Sequence, residues 1–234
     1  MGLTPPLASI AWLPAWRIVP SRFPPIDLFE RIADPADWDA LIELESLTNP
    51  RLRDEVGDIA LVPAAERVSG PGASAIMAAF THLNPDGSRF TDGSYGVFYC
   101  TPDLETAVAE TRYHRARFMT ATRQPPQHLD MRVYLADLRA DLHDIRRRVT
   151  EMPLVYHATA YAAGQELAQR LRASGSGGIV YSSVRRPGGE CAAVFRPRLL
   201  SNCRQERHLA YVWDGETIRD VYEKQALRSG APRA

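Results

Sequence analysis

The chain is 234 residues long, 45% apolar and 24% charged, a balance that excludes a disordered or fibrous chain. Its 28 basic and 28 acidic residues cancel, so it lacks the cationic excess of a general nucleic-acid or anionic-membrane binder. Lys224 is the single lysine, and the other cations are arginines, so planar guanidinium forks are plentiful.

In chain order, Pro5, Pro6, Pro14, Pro20, Pro24 and Pro25 exclude a helix and predict an extended N-terminal arm. Ile10, Trp12, Trp16 and Ile18 predict that the arm packs on the body. The apolar run from Leu7 to Trp16 is cut by Pro14 and has no cation before it, unlike a secretory signal or a membrane span. Asp34-Pro35 opens a helix through Trp38, Leu41 and Glu45, and Ala73 to Leu83 is a second helix. Tyr95 to Cys100 reads as a buried strand, and Thr101-Pro102 as the cap of a helix from Pro102 to Phe118. Met131 to Leu138 is a strand, and Thr159 to Ala173 a helix stopped by Ser174-Gly175. Ile179 to Ser183 and Ala192 to Phe195 are strands. His208 to Val212 and Thr217 to Tyr222 form a hairpin around Asp214-Gly215. Strands and helices mix without regular alternation, which places the chain in the α+β class. Residues 1–234 read as one domain, with an extended arm over 1–30 and a helical insert over 31–86 packed on the body.

Common site motifs are absent. There is no Walker loop, no G-x-S-x-G elbow and no H-E-x-x-H. Ser174 to Gly178 is glycine-rich but follows a helix, so it reads as a helix stop. Cys100, Cys191 and Cys203 form no C-x-x-C pair and read as reduced thiols of a cytoplasmic protein; no metal site is expected. His114 reads as a surface residue, and Arg146-Arg147-Arg148 as a solvated face.

Two segments remain, Gly87 to His114 and Gly177 to Pro197. They place Arg89 before a strand, Tyr99 near its end and Glu110 on the following helix. They also place Ser182 and Ser183 at another strand end, followed by Arg185 and Arg186. Strand ends and their loops are where sites collect. Taken singly, each residue has a plain reading: Glu110 a surface carboxylate bordering an apolar stripe, Arg89 an ion-pair partner, Tyr99 a core tyrosine, Ser183 a strand-end cap.

Together these blocks resemble the RES domain, the toxin component of bacterial toxin–antitoxin pairs. Gly87-Ser88-Arg89-Phe90-Thr91 stands where that family has G-G-R-W-N, Tyr99 and Glu110 follow at its spacing, and Ser182-Ser183 stands at its P-S pair. Ser183 is the residue carried over, with Ser182 as the alternative. The resemblance spans about Arg17 to the C-terminal hairpin. It implies an ADP-ribosyltransferase-like split mixed β-sheet flanked by helices. It implies NAD as co-substrate, no metal, and cleavage of the nicotinamide–ribose bond. Positive charge develops on the ribose, so Glu110 is suited to stabilise it. Arg89 is suited to bind the pyrophosphate, Tyr99 to stack on the nicotinamide or its ribose, and Ser183 to hold the ribose or carboxamide; Arg185 counts among the cofactor-binding residues, with Arg17 and Arg31 as further candidates. The acceptor decides the activity: a protein side chain makes a mono-ADP-ribosyltransferase, the favoured reading, whereas water or phosphate makes a glycohydrolase or phosphorylase. The resemblance also implies a helix-turn-helix antitoxin as partner, with no direct nucleic-acid or membrane contact by this chain. Three rival readings are a non-enzymatic nucleotide-binding module, a serine hydrolase using Ser183 with His157 or His208, and a pure interaction protein docking through the arm.

Overall fold

The computed structural model describes residues 4–21 and 57–225. The helix expected from Asp34 to Glu45 and the candidate Arg31 lie outside the described residues. The elements are β1 (Leu7–Pro20), α1 (Ala73–Thr81), β2 (Phe98–Cys100), α2 (Leu104–Ala121), β3 (Gln127–Asp144), α3 (Ala162–Ala173), β4 (Gly178–Ser182), β5 (Glu190–Val194), β6 (Leu200–Trp213) and β7 (Ile218–Lys224). Short 3-10 turns occupy Ile59–Leu61, Ala64–Glu66 and Pro197–Leu199. The class is α+β, as the irregular mixture of elements predicts.

The strands form one mixed sheet in the order β2-β5-β4-β3-β6-β7, with β1 on the remaining edge of β3. The long strand β3 joins its two halves. Its first dozen residues pair antiparallel with β6, while His143 and Asp144 pair parallel with β4. The N-terminal segment is extended, as its prolines require, and it is also a strand of the sheet. Leu7 pairs with His143 and Pro20 with Met131, and Pro14 falls in the register shift between Trp12 and Ala15. A proline has no N–H to give the ladder, so it is accommodated at such an irregularity. Trp16 also exchanges backbone hydrogen bonds of 2.7 and 3.0 Å with Thr101, just beyond β2.

Period-two alternation sorts the side chains onto two faces. Phe98, Cys100, Val180, Ala192, Val194 and Leu138 face one cluster, which α1 covers with Ile76, Met77 and Phe80. Burying a side chain such as Phe98 stabilises the fold by about 1.5–3 kcal/mol. The opposite face carries two separate covers. Leu167, Ala168 and Leu171 of α3 lie on Ile179, Tyr181, Cys191 and Ala193. Ala107 and Met119 of α2 lie on Met131, Val133, Leu209, Tyr211 and Trp213. The two helical covers part over β4 and β5, and the candidate site lies in that gap.

Several sequence-derived boundaries move. The expected strand from Tyr95 begins only at Phe98, because Gly96 packs against the backbone of Phe80 instead of a neighbouring strand. The helix expected from Pro102 begins at Leu104 and runs to Ala121. Asp103 caps it, accepting from the Thr106 N–H at 2.8 Å, while the backbone of Thr101 is taken by Trp16. α3 starts at Ala162 instead of Thr159, because His157 Nδ1 accepts the N–H groups of Thr159 and Ala160 and holds them in a turn. Its expected stop at Ser174-Gly175 holds: Gly175 is left-handed (φ 85°), its N–H reaches Arg172 O, and the Ser176 N–H reaches Leu171 O. The Asp214-Gly215 hairpin also holds, with Asp214 Oδ1 accepting from the N–H groups of Glu216 and Thr217. Among the described residues, no helix is long and apolar enough to cross a membrane.

Candidate functional site

Glu110 sits on the cleft side of α2, one turn beyond Ala107 and Thr106, which anchor the helix to the sheet. Thr111 strengthens that anchor, with its hydroxyl 2.6 Å from the Tyr211 hydroxyl on β6. Ser183 lies one residue beyond β4. Its hydroxyl accepts the backbone N–H groups of Arg185 and Arg186, both at 3.0 Å. A serine hydroxyl has one proton, and here it is donated to Glu110 Oε1 at 2.6 Å. Cys191 Sγ stands 3.7 Å from the same oxygen. Burial and the neighbouring Glu110 carboxylate hold the Cys191 thiol well above its ordinary pKa, so it is a weak donor and not a nucleophile.

The adjacent serine does something else. Ser182 Oγ donates to Arg146 O at 2.6 Å, and the Ser182 N–H reaches the Tyr156 hydroxyl. The alternating geometry of the strand end turns one serine toward α2 and the other away from it. Neither His157 nor His208 has a hydrogen bond to Ser183. His157 Nδ1 accepts backbone N–H groups, and His208 Nε2 meets Gln205. The arrangement that a serine hydrolase needs is therefore not assembled by these residues.

Arg89 is only 8% exposed. Its Nη1 donates to Val155 O at 2.7 Å and to His157 O at 3.0 Å, and its guanidinium lies 4.9 Å from the Tyr161 ring centroid. The loop before it is clamped from several sides. Phe90 is fully buried edge-on to Tyr181, and Gln165 of α3 donates to Ser88 O and Thr91 O. Gly164 lets α3 approach: a Cβ there would stand 2.4 Å from Arg89 O. Half of the fork expected to meet a pyrophosphate is thus committed to carbonyls that fix its position.

Tyr99 lines the cleft, but its hydroxyl is spoken for, at 2.7 Å from Ser88 Oγ and accepting the Phe90 N–H at 3.0 Å. Burial pushes this phenol well above its ordinary pKa, so it stays protonated and holds the Arg89 loop. Arg185 donates to Ala158 O and lies 3.3 Å from the Tyr113 ring centroid. Arg17, on β1, donates to Tyr99 O at 3.1 Å and stacks on Phe98.

Four neighbours escaped sequence reading. His114 is exposed, as the sequence reading has it, but it also lines the cleft, with its Nε2 3.9 Å from Glu110 Oε2. Its i, i+4 spacing from Glu110 was the available signal. Burial first, then Arg185, Arg89, Arg115 and Arg117, lower its pKa to about 4. The imidazole keeps 45% of its surface exposed, so this burial is partial and solvent screens the neighbouring arginines. Arg117 and Tyr161 line the cleft too, and Tyr113 stacks on Arg185 beside them. The cleft lining includes Arg89, Tyr99, Glu110, His114, Arg117 and Tyr161. Among the described residues, no group of three or more His, Cys, Asp or Glu is placed to hold a metal ion.

Residues 64–214 match the model of the RES domain family. The uncharacterized protein y4oC of Sinorhizobium fredii (strain NBRC 101917 / NGR234) is 32% identical over 214 residues, covering 88% of this chain and 86% of that protein. A chain in the crystal structure of the M. tuberculosis MbcT–MbcA toxin–antitoxin complex superposes with a TM-score of 0.42 and 7% identity, covering 86% of each chain.

Proposed function

Because the chain belongs to the RES-domain family, we propose that it is the toxin of a toxin–antitoxin pair and acts on NAD, breaking the nicotinamide–ribose bond and transferring ADP-ribose to a protein acceptor. The observation that carries this reading is the Glu110 carboxylate, held by Ser183 at 2.6 Å on the cleft wall with its other oxygen directed along α2 toward His114. Loss of nicotinamide leaves positive charge on the ribose carbon and ring oxygen. A carboxylate fixed in advance stabilises that charge without reorganising during the reaction. Bond by bond, the C1′–nitrogen bond breaks, nicotinamide leaves with the bonding electrons, and the acceptor oxygen or nitrogen forms the new bond and loses its proton.

The residues present suit a dinucleotide anion. Arg89, Arg117 and Arg185 converge on the aromatic wall, and burial together with their field keeps His114 neutral. Arg89 and Arg185 bind the pyrophosphate, Tyr99 keeps the Arg89 loop in place and flanks the nicotinamide end, and Ser183 orients Glu110. A helix-turn-helix antitoxin covers this cleft when the toxin is silent, and DNA contact belongs to that partner. Such a pair works in the cytoplasm.

The test is nicotinamide release from labelled NAD by the purified full chain and by Glu110→Gln, with and without cell lysate. Release that needs lysate, with label on a protein band, is the expected result. Release by the chain alone assigns water or phosphate as acceptor. No release in either condition removes the NAD-consuming reading and leaves a nucleotide-binding module.

A further inference from the structure

Three guanidiniums converge on one phenol at the cleft mouth. Arg89 lies 4.9 Å and Arg117 5.9 Å from the Tyr161 ring centroid, and Arg185 Nη2 is 3.5 Å from its hydroxyl. Arg185 also stacks on Tyr113. Among the described residues, none of the three has a carboxylate within ion-pair distance, whereas Arg146, Arg148, Arg186, Arg196, Arg207 and Arg219 all have one. Aromatic faces and backbone carbonyls hold a guanidinium in place without cancelling its charge. The wall is therefore a preorganised and uncompensated cationic surface in a chain of zero net charge.

The cations are also ordered along the helix. Glu110, His114 and Arg117 fall at i, i+4 and i+7, one stripe of α2. Seven residues at a 1.5 Å rise set Arg117 about 10 Å beyond Glu110. Placed with its nicotinamide ribose at Glu110 and its length along this stripe, a dinucleotide would carry its pyrophosphate and adenosine toward Arg117. The two pyrophosphate charges are met by Arg89 and Arg185. Arg117 then stands at the adenosine end with no charge to meet in NAD. A phosphate on the adenosine ribose would meet it, as arginines do in dinucleotide folds that accept the 2′-phosphate.

We infer that the chain takes the 2′-phosphorylated dinucleotide, NADP, in preference to NAD, with Arg117 beside Tyr161 holding the additional phosphate. This deepens the dinucleotide-cleaving reading and rests on it for the placement of the ribose. The reaction is otherwise unchanged: nicotinamide leaves, and the acceptor receives 2′-phospho-ADP-ribose in exchange for a proton.

The experiment compares nicotinamide release from NADP and NAD by the full chain under the condition that gives turnover. Alongside it, calorimetry measures binding of the two uncleavable ligands, ADP-ribose and its 2′-phosphate. The expected results are kcat/KM at least tenfold higher for NADP, mostly through KM, and tighter binding of the 2′-phosphate ligand by a similar factor. Arg117→Gln should lower the NADP value far more than the NAD value and bring their ratio close to one, while Arg117→Lys should restore part of it. Equal or better use of NAD, or a preference that survives Arg117→Gln, overturns the inference. If neither dinucleotide is cleaved, the cleavage reading falls and binding alone decides. Arg117-dependent preference for the 2′-phosphate ligand then upholds the inference, and equal or undetectable binding overturns it.

Discussion

Ser182 and Ser183 are neighbours in the chain, yet they belong to two arginine clusters of opposite design. On the Ser182 side, Arg146 is bound by Asp144 at 2.7 Å and by Glu190 at 2.9 Å, with its backbone carbonyl accepting from Ser182. Those carboxylates raise the pKa of Arg146 above its ordinary value, and Arg146 lowers that of Asp144. On the Ser183 side, Arg89, Arg117 and Arg185 are held by carbonyls and aromatic rings with no carboxylate partner among the described residues. The first cluster closes its electrostatics within the protein and pins the end of β4. The second keeps its charge for something else. An arginine count cannot separate them; only the identity of the partners does.

The largest test of this contrast is Glu110→Gln. Gln keeps an acceptor for Ser183 but removes the charge, so nicotinamide release should fall by about 10²–10³-fold or more, equivalent to about 2.7–4 kcal/mol, with thermal stability almost unchanged. Progress curves beside a melting scan decide this, and an active Gln variant would mean that the carboxylate is not the electrostatic group. Second, Ser183→Ala should lower turnover by about tenfold or more. Ser182→Ala should instead retain turnover and lose about 1 kcal/mol of stability, read by urea unfolding. Equal effects from the two serines would erase the distinction between the clusters.

Third, Arg146→Met should cost about 1 kcal/mol or somewhat more of stability, reduced in high salt, with turnover maintained. Arg185→Gln should show the reverse pattern, with lost substrate affinity and an unchanged melting temperature. The smallest expected effect is on pH. The folded-state pKa of His114 is depressed to about 4 from an ordinary 6.5, burial and then the four arginines being the causes. The unfolded chain therefore binds a proton that the folded chain refuses, and stability falls as pH drops from about 6.5 toward about 4. His114→Gln should flatten that limb. The half-exposed ring and solvent screening keep the effect small.

Much of the architecture was legible because it depends on local rules. The density of prolines before Pro20 forced an extended segment. The glycine stop after α3 and the Asp-Gly hairpin followed from backbone conformation. The α+β class followed from the irregular element order. What local rules could not supply was pairing. The N-terminal segment offers a ladder edge to any strand, and only the open edge of β3, with Ile10, Ala15 and Ile18 packing into the core clusters on either side, determined that it joins the sheet there. The cap of α2 moved from Thr101 to Asp103 because Thr101 was claimed by Trp16, more than eighty residues earlier.

The candidate site divides along the same line. Taken singly, Arg89, Tyr99, Glu110, Ser183 and Arg185 were weak signals at strand ends and loops, and it was their resemblance, in order, to the RES-domain blocks that implied a dinucleotide site. The sequence could also have offered His114, four residues after Glu110 on one helical face. Tyr161 and Arg117 carried no signal, since a tyrosine before one helix and an arginine on another become neighbours only when α2 and α3 cover the same sheet face and part over β4. By itself, then, the sequence determined the chemistry available, because functional groups and local backbone preferences are properties of single residues and their near neighbours. The tertiary structure decided which oxygen Ser183 serves, which carbonyls lock Arg89, and which arginines keep an unspent charge. Those outcomes depend on the distances between groups far apart in the chain, and those distances exist only once the sheet has brought its two halves together.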